Sequence, residues 1–491
     1  MQASERIVFG RAFRVTPVWL WVMQRASGLL LGPLVALHVW MPEMSHNRAL
    51  NAALLLLVVG HGYSGIRRLA QQERRAAVVT AHAWMWLILV ALFGALIVLT
   101  AADRTLGPDH RMDAKPANPH STRGENERKV FQRDRTPHIF RPIEFRSVRV
   151  RNRITMSPMC QYSAENGTPG DWHFQHLCSR AVGGAGIVFT ESVAIEPRGL
   201  ITSHCLGLWN DEQRDAYARI ARAIKSAGAL PGIQLNHSGR KGAVGRPWEG
   251  GKPLKNEEGA WPLIAPSAVS FGDGYQVPAA LDAESIARTL ELYAVAARRA
   301  REAGFQIMEV HAAHGYLVHE FLSPLSNQRT DRYGGSFENR TRFLLEAIAA
   351  VRTEWPDELP LFVRISSTDW ADGGWDLASS VQLAKALKAT GMVDLIDCSS
   401  GGLVQRQKPI IHPGYQVPFA AAVRSGADIA TSAVGMIHGA DMAEQIVANG
   451  QADMVSLGRA MLIDPYWPLH AANALRAKIE WPVQYERGDI Y

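Results

Sequence analysis

Hydrophobic and polar positions divide the chain into two regions of different physics. Residues 18–41 read VWLWVMQRASGLLLGPLVALHVWM, residues 50–66 read LNAALLLLVVGHGYSGI, and residues 82–100 read HAWMWLILVALFGALIVLT. A bilayer core takes about 20 mostly apolar residues per helix. The third segment meets this without interruption, while Gln24, Arg25, His38 and His61 break the first two. Tryptophans 19, 21, 40, 84 and 86 suit an interfacial belt. The pattern predicts an all-α transmembrane part of three helices over 1–101. A buried soluble bundle is the alternative, and Trp-rich ends flanked by Arg clusters speak against it. No short apolar run precedes a small-residue cleavage site, so a signal peptide is not expected. From 102 to 138 the apolar period is lost among prolines and charges, which reads as a polar linker.

From 139 to 491 the pattern is different again. Short apolar runs predict strands at 153–159, 186–192, 232–237, 305–311, 361–366, 393–400, 428–435 and 453–459, separated by amphipathic stretches. In one of these, 282–304, Asp282 is placed to cap a helix start and Gly304 to end it. Eight continuous apolar strands alternating with helices imply a parallel sheet covered on its outside. The expected fold is α/β, a (β/α)8 TIM barrel. A doubly wound sheet is the alternative, but no G-x-G-x-x-G follows the first strand.

A length of 491 residues with 20% charged residues fits two domains, one of them soluble. The net charge of +6 owes much to arginines near the apolar segments and in the linker. No basic face with groove-reading partners appears, so no nucleic-acid partner is expected. The four cysteines, Cys160, Cys178, Cys205 and Cys398, form no C-x-x-C and no cluster spacing. They fit a reducing compartment better than a disulfide framework.

In a barrel, chemistry sits at the C-terminal ends of the strands. Those ends carry Met159-Cys160, Glu191-Ser192, Gln234, His311, Arg364, Ser399-Ser400, Gly435 and Gly458-Arg459. Gly435 and Gly458-Arg459 follow strands seven and eight, where bare backbone N–H groups and an Arg fork suit a phosphate. The stretch VHAAHGYLVHEFLSP (310–324) brings His311, His314, Tyr316 and His319 close together. A metal pair, a pair of donors to a substrate, and ordinary core histidines are the three readings.

The segments NRITMSPMCQYS, IQLNHSGRKG, EVHAAHGYLVHEFLSPLSNQRTDRYGGSFENR, GYQVPFA, SAVGMI, DPYWPLHAA and PVQYERG occur in this order from about 138 onward. They resemble the Old Yellow Enzyme family of FMN-dependent ene reductases, in its thermophilic-like NADPH dehydrogenase class. The resemblance implies FMN as cofactor, NAD(P)H as electron donor, and an enone or enoate as substrate. It places Ser157, Pro158, Met159 and Cys160 against the flavin, with the Cys160 thiol tuning its potential. Gln234 would bond the pyrimidine edge, Arg364 would face the N1 side, and Ser192 would touch the ring. Gly435, Gly458 and Arg459 would hold the phosphate. It makes His311 and His314 the donors to the substrate carbonyl, and Tyr316 the proton donor to the α-carbon. Tyr162 and Arg487, the latter from a neighbouring subunit, would border the substrate, so a homo-oligomer is expected. His319 receives no role and reads as structural; Lys241 is left open. Phenols stacked on oxidised flavin give this family a long-wavelength charge-transfer band.

The N-terminal segments RASG (25–28) and HGYSGIRR (61–68) resemble the cytochrome b membrane anchor subunit of succinate dehydrogenase. That resemblance implies a quinone site near Arg25 and a haem b ligand at His61, with His38 or another chain supplying the second. Two functions follow. One is an ene reductase anchored in the inner membrane by several spans, its barrel in the cytoplasm with NAD(P)H. The other is a membrane flavin/haem protein exchanging electrons with quinone. Arg6, Arg11 and Arg14, and Arg67, Arg68, Arg74 and Arg75, would both be cytoplasmic by the positive-inside rule. Three crossings would then put the barrel on the other side. One segment fails to span, the donor is not a nicotinamide, or two neighbouring reading frames have been joined.

Overall fold

The computed structural model describes residues 5–8, 11–14 and 136–489. The chain divides into two units, Met1–Gly124 and Glu125–Tyr491. In the first, Glu5–Val8 and Arg11–Arg14 pair as an antiparallel hairpin. The three apolar segments, His61 and the linker up to 135 lie outside the described residues. Among the described residues no helix is long and apolar enough to cross a membrane.

In the second unit the strands are β1 (Ile154–Met156), β2 (Ile187–Ala194), β3 (Leu230–Asn236) and β4 (Ile307–Ala312). They continue as β5 (Leu361–Ser366), β6 (Leu395–Ser399), β7 (Ala430–Ala433) and β8 (Met454–Leu457). Each pairs in parallel with the next, and β8 pairs with β1, which closes the barrel. The expected (β/α)8 barrel is therefore the fold. The largest boundary difference is at β1, which stops at Met156 where the apolar run continues to Met159. Pro158 has no N–H to give to a ladder, so the chain leaves the sheet there. Ser157 makes the last contact, its N–H donating to the Leu457 carbonyl at 3.0 Å. Pro158, Met159 and Cys160 thereby fall on a loop at the barrel mouth.

The period-two alternation within strands separates two cores. Outward residues such as Met308, Val310, Val363, Ile365, Ile396 and Val455 pack in one cluster with the surrounding helices. The helix Ala283–Glu302 shows why such segments fold. Asp282 caps it, its carboxylate accepting from Ser285 N at 2.8 Å. Ile286, Tyr293, Ala296, Ala297 and Ala300 make its buried face, and Gly304 ends it at φ 89°. Losing such a cap costs about 1 kcal/mol.

Inward residues behave differently along the barrel axis. At the N-terminal end Phe189, Ile307, Phe362, Leu395 and Met454 form an apolar plug. The hairpin Ile143–Phe145 with Val148–Val150 closes this end, its Phe145 ring lying 5.0 Å from Phe362. Two residues further along, the inward positions become polar: Gln234, Glu309, Arg364, Asp397, Ser432 and Ser456. Buried polar groups need partners, and here the partners are one another. The barrel is sealed by hydrocarbon at one end and chemically equipped toward the other.

Candidate active site

His311 is the inward residue near the end of β4, level with Arg364 on β5. Its Nδ1 accepts the backbone N–H of Ala313 at 3.2 Å, and its Nε2 lies 3.2 Å from His314 Nδ1. The far nitrogen of His314, Nε2, lies 2.7 Å from Ser399 Oγ at the end of β6. Burial pushes both imidazoles well below the usual histidine value, Arg364 adding to it for His311 and the neighbouring His311 for His314. Both rings are neutral at neutral pH. The Tyr316 ring stands 5.2 Å from His311, edge to face, and burial raises its phenol well above the usual value, so it keeps its proton.

His314 is held in an uncommon conformation, φ 59°. Its N–H donates to Ser366 Oγ at 2.9 Å, and its carbonyl accepts from Lys241 Nζ at 2.8 Å. The same ammonium donates to the Gly402 carbonyl at 2.7 Å. A Cβ on Gly402 would come within 2.6 Å of the His314 backbone, so only glycine allows this approach. Burial lowers Lys241 to about 8. Its role, left open by the sequence, is to clamp the turn that presents His314. His319 is structural: its Nε2 lies 2.9 Å from Asp369 Oδ1, with both side chains fully buried.

Below the histidines lies a layer that sequence reasoning missed in part. Gln234 Nε2 donates to Glu309 Oε1 at 2.7 Å, leaving the amide carbonyl for a ligand. Arg364 donates to Ser157 Oγ at 3.1 Å and pairs with Asp397 at 3.4 Å. Burial raises Glu309 to about 8, the Asp397 charge adding to this and Arg364 opposing it. Asp397 is raised by the same burial. Neither acid was singled out from sequence. The available signal was a charged residue at the inward parity of an apolar strand, two positions before His311 and Ser399 respectively.

On the loop after β1, Cys160 and Tyr162 pack with Tyr316 against Ala194, Leu200, Ile201 and Cys205. Hydrogen bonding to Cys205 and enclosure raise the Cys160 thiol well above its usual value, so it is a thiol and not a thiolate. Cys205 as its partner was not anticipated. Ser192 lies opposite Gln234 in the sheet. After β7 and β8 the chain carries Gly435 and Gly458. Gly435 has φ 123°, a conformation open to glycine, and a Cβ at Gly458 would meet only Met159 Sδ at 3.6 Å. Arg459 beside it is exposed. Arg487 is not brought to the histidine pair of its own chain. It borders a separate groove with Tyr466, Trp481 and Tyr485.

The donor set suits FMN. Gln234 and Arg364 offer an amide and a guanidinium for the pyrimidine edge, and Arg364 Nε is buried without a well-aligned acceptor. Gly435, Gly458 and Arg459 offer bare backbone and a cation for a phosphate. Among the described residues no group of three His, Cys, Asp or Glu is placed to hold a metal, so the metal reading of the histidine pair finds no third ligand.

Residues 138–478 match the model of the NADH:flavin oxidoreductase / NADH oxidase family. The chain is 46% identical over 352 residues to an NADPH dehydrogenase of Bacillus subtilis (strain 168), covering 71% of this chain and 98% of that protein. An NADPH dehydrogenase of Geobacillus sp. (strain WCH70) is 47% identical over 352 residues, with the same coverage of 71% and 98%. Among solved structures, morphinone reductase superposes with a TM-score of 0.58 at 27% identity, over 71% of this chain and 92% of that one. An old yellow enzyme homologue from Zymomonas mobilis gives 0.58 at 27%, over 71% and 95%. The matched family segment begins at 138 and so lends no support to the cytochrome b anchor expected for residues 1–101.

Proposed function

The chain belongs to the NADH:flavin oxidoreductase / NADH oxidase family and is a flavin-dependent oxidoreductase with FMN as its cofactor; from that premise we propose that it is an ene reductase. It would use NADPH to reduce the C=C bond of α,β-unsaturated carbonyl compounds in two alternating half-reactions. NADPH as donor is supported by relatives named NADPH dehydrogenase. Bound FMN supplies the carrier that takes hydride from one partner and gives it to the other.

The observation that carries this reading is the convergence of two neutral imidazoles, His311 Nε2 and His314 Nδ1, 3.2 Å apart at the strand ends. An oxygen set against both nitrogens accepts from His311 Nε2–H, and from His314 as well once that ring carries its hydrogen on Nδ1. That draws electron density from a conjugated alkene and prepares its β-carbon for hydride, as an oxyanion hole does, each donor being worth about 2.7–4 kcal/mol. Tyr316, kept protonated by burial, is placed beside His311 to give a proton to the α-carbon. Arg364, anchored by Asp397, supplies a fixed cation that favours negative charge on a bound ring system. Cys160 and Tyr162 wall the same space. Arg487, remote from its own pair, is read as reaching the site of a second copy.

The test is reduction of cyclohexenone by the FMN-loaded protein with both histidines replaced, His311→Ala and His314→Ala. Flavin content should stay near normal, while alkene reduction and the charge-transfer band with phenols are lost. Normal cyclohexenone turnover by this double variant would sink the proposal.

A further inference from the structure

We infer that Ser399 is a positioning residue: it decides which nitrogen of His314 carries hydrogen, and binding of an oxygen ligand between the two histidines reverses that choice. The inference rests on the ene-reductase reading of the pair and assigns it a third member.

Hydrogen-bond directions force the conclusion. His311 Nδ1 accepts from the Ala313 N–H, so its one hydrogen is on Nε2. That N–H faces His314 Nδ1 at 3.2 Å, which must therefore accept. The hydrogen of His314 then sits on Nε2 and donates to Ser399 Oγ at 2.7 Å. In this state only one of the two converging nitrogens is a donor. A carbonyl or phenolate oxygen between the rings is bound by two donors only if the hydrogen of His314 moves to Nδ1. Its Nε2 then becomes a lone pair inside a buried site and needs a donor of its own.

A hydroxyl serves both states, because its O–H rotates and its oxygen accepts. Ser399 is 5% exposed, and its Oγ has no other hydrogen-bond partner among the described residues. Its backbone is fixed by the Ser367 N–H, which donates to the Ser399 carbonyl at 2.8 Å. Burial disfavours a charged His314, which favours moving its hydrogen over adding a second one. Water exchanges the ring hydrogen between the two nitrogens, so the net proton count is unchanged. The switch makes the second donor appear only when the oxygen is there to use it.

The experiment labels histidine with 15N in the FMN-loaded full-length protein, since the shift separates a hydrogen-bearing ring nitrogen from a bare one. His314→Ala assigns the signal. His314 should carry hydrogen on Nε2 when free and on Nδ1 with 4-hydroxybenzaldehyde bound. Ser399→Ala should lose this exchange and bind the aldehyde about tenfold more weakly or worse, the scale of one lost buried hydrogen bond. FMN content should not change, and Ser399→Thr should restore both signals and affinity. Hydrogen on the same nitrogen in the free and bound wild type would overturn the inference, and this comparison stands even where Ser399→Ala fails to fold. Wild-type-like affinity and exchange in Ser399→Ala would overturn it as well. Loss of aldehyde binding in the double histidine variant, with Ser399→Ala unaffected, condemns Ser399 alone. Normal binding in the double variant removes the ene-reductase reading with it.

Discussion

Glu309 makes the barrel's stability depend on pH in a direction opposite to that of an ordinary surface carboxylate. It is 1% exposed at the centre of β4, with Gln234 donating to one oxygen and Asp397 nearby. Its pKa rises from 4.5 to about 8, first because burial strips its water and then through the Asp397 charge. An acid whose folded pKa is raised holds its proton longer in the folded state. Its stabilisation is complete below 4.5 and is lost as pH climbs to about 8. At 1.36 kcal/mol per unit, the loss between pH 5 and pH 8 comes to roughly 3–4 kcal/mol. Glu309→Gln keeps an acceptor for Gln234 and removes the titration. Urea unfolding midpoints, followed by circular dichroism at pH 5 and pH 8 with FMN held saturating, provide the assay. The wild type should weaken by that amount relative to the variant, and the variant's flavin spectrum should be normal. If both proteins show the same pH dependence to within about 1 kcal/mol, Glu309 is not the proton-holding group, and the account of this layer is wrong.

Arg459→Ala should raise the FMN dissociation constant by roughly 10- to 100-fold, the loss of one charge-assisted contact worth about 1.5–3 kcal/mol; fluorescence titration of released flavin checks it. Lys241→Met removes the clamp on the His314 and Gly402 carbonyls. It should slow alkene reduction about tenfold or more through a misplaced donor while leaving FMN bound, and stopped-flow kinetics with cyclohexenone would show an unchanged rate if the clamp is idle. On the N-terminal segment, His61→Ala should abolish any haem b Soret band of the membrane fraction and leave flavin reduction intact. A surviving band would pass the ligand role to His38 or His82.

The barrel was legible because its signal is redundant: eight apolar runs, each too long for a turn and too short for a helix, all demanding cover on the outside. The residues of the site were legible for a different reason. His311, Arg364, Gln234 and Ser399 interrupt apolar strands with groups that an ordinary core would not hold, and motif resemblance gave roles to the first three. Glu309 and Asp397 interrupt those strands in the same way, but they sit one pleat deeper than the strand ends where barrel chemistry is expected. Parity alone would have found them. What parity could not reveal is which atom donates. Whether His311 Nε2 faces His314 or solvent depends on a turn in which His314 takes φ 59° and Lys241 bridges two carbonyls. Lys241 and Gly402 are 161 residues apart, so no local pattern predicts their meeting. Specificity of this kind resides in the loops that a rigid barrel brings together. The same strand ends with a different turn after β4 would still be a barrel holding two histidines, but their nitrogens would not converge on one oxygen.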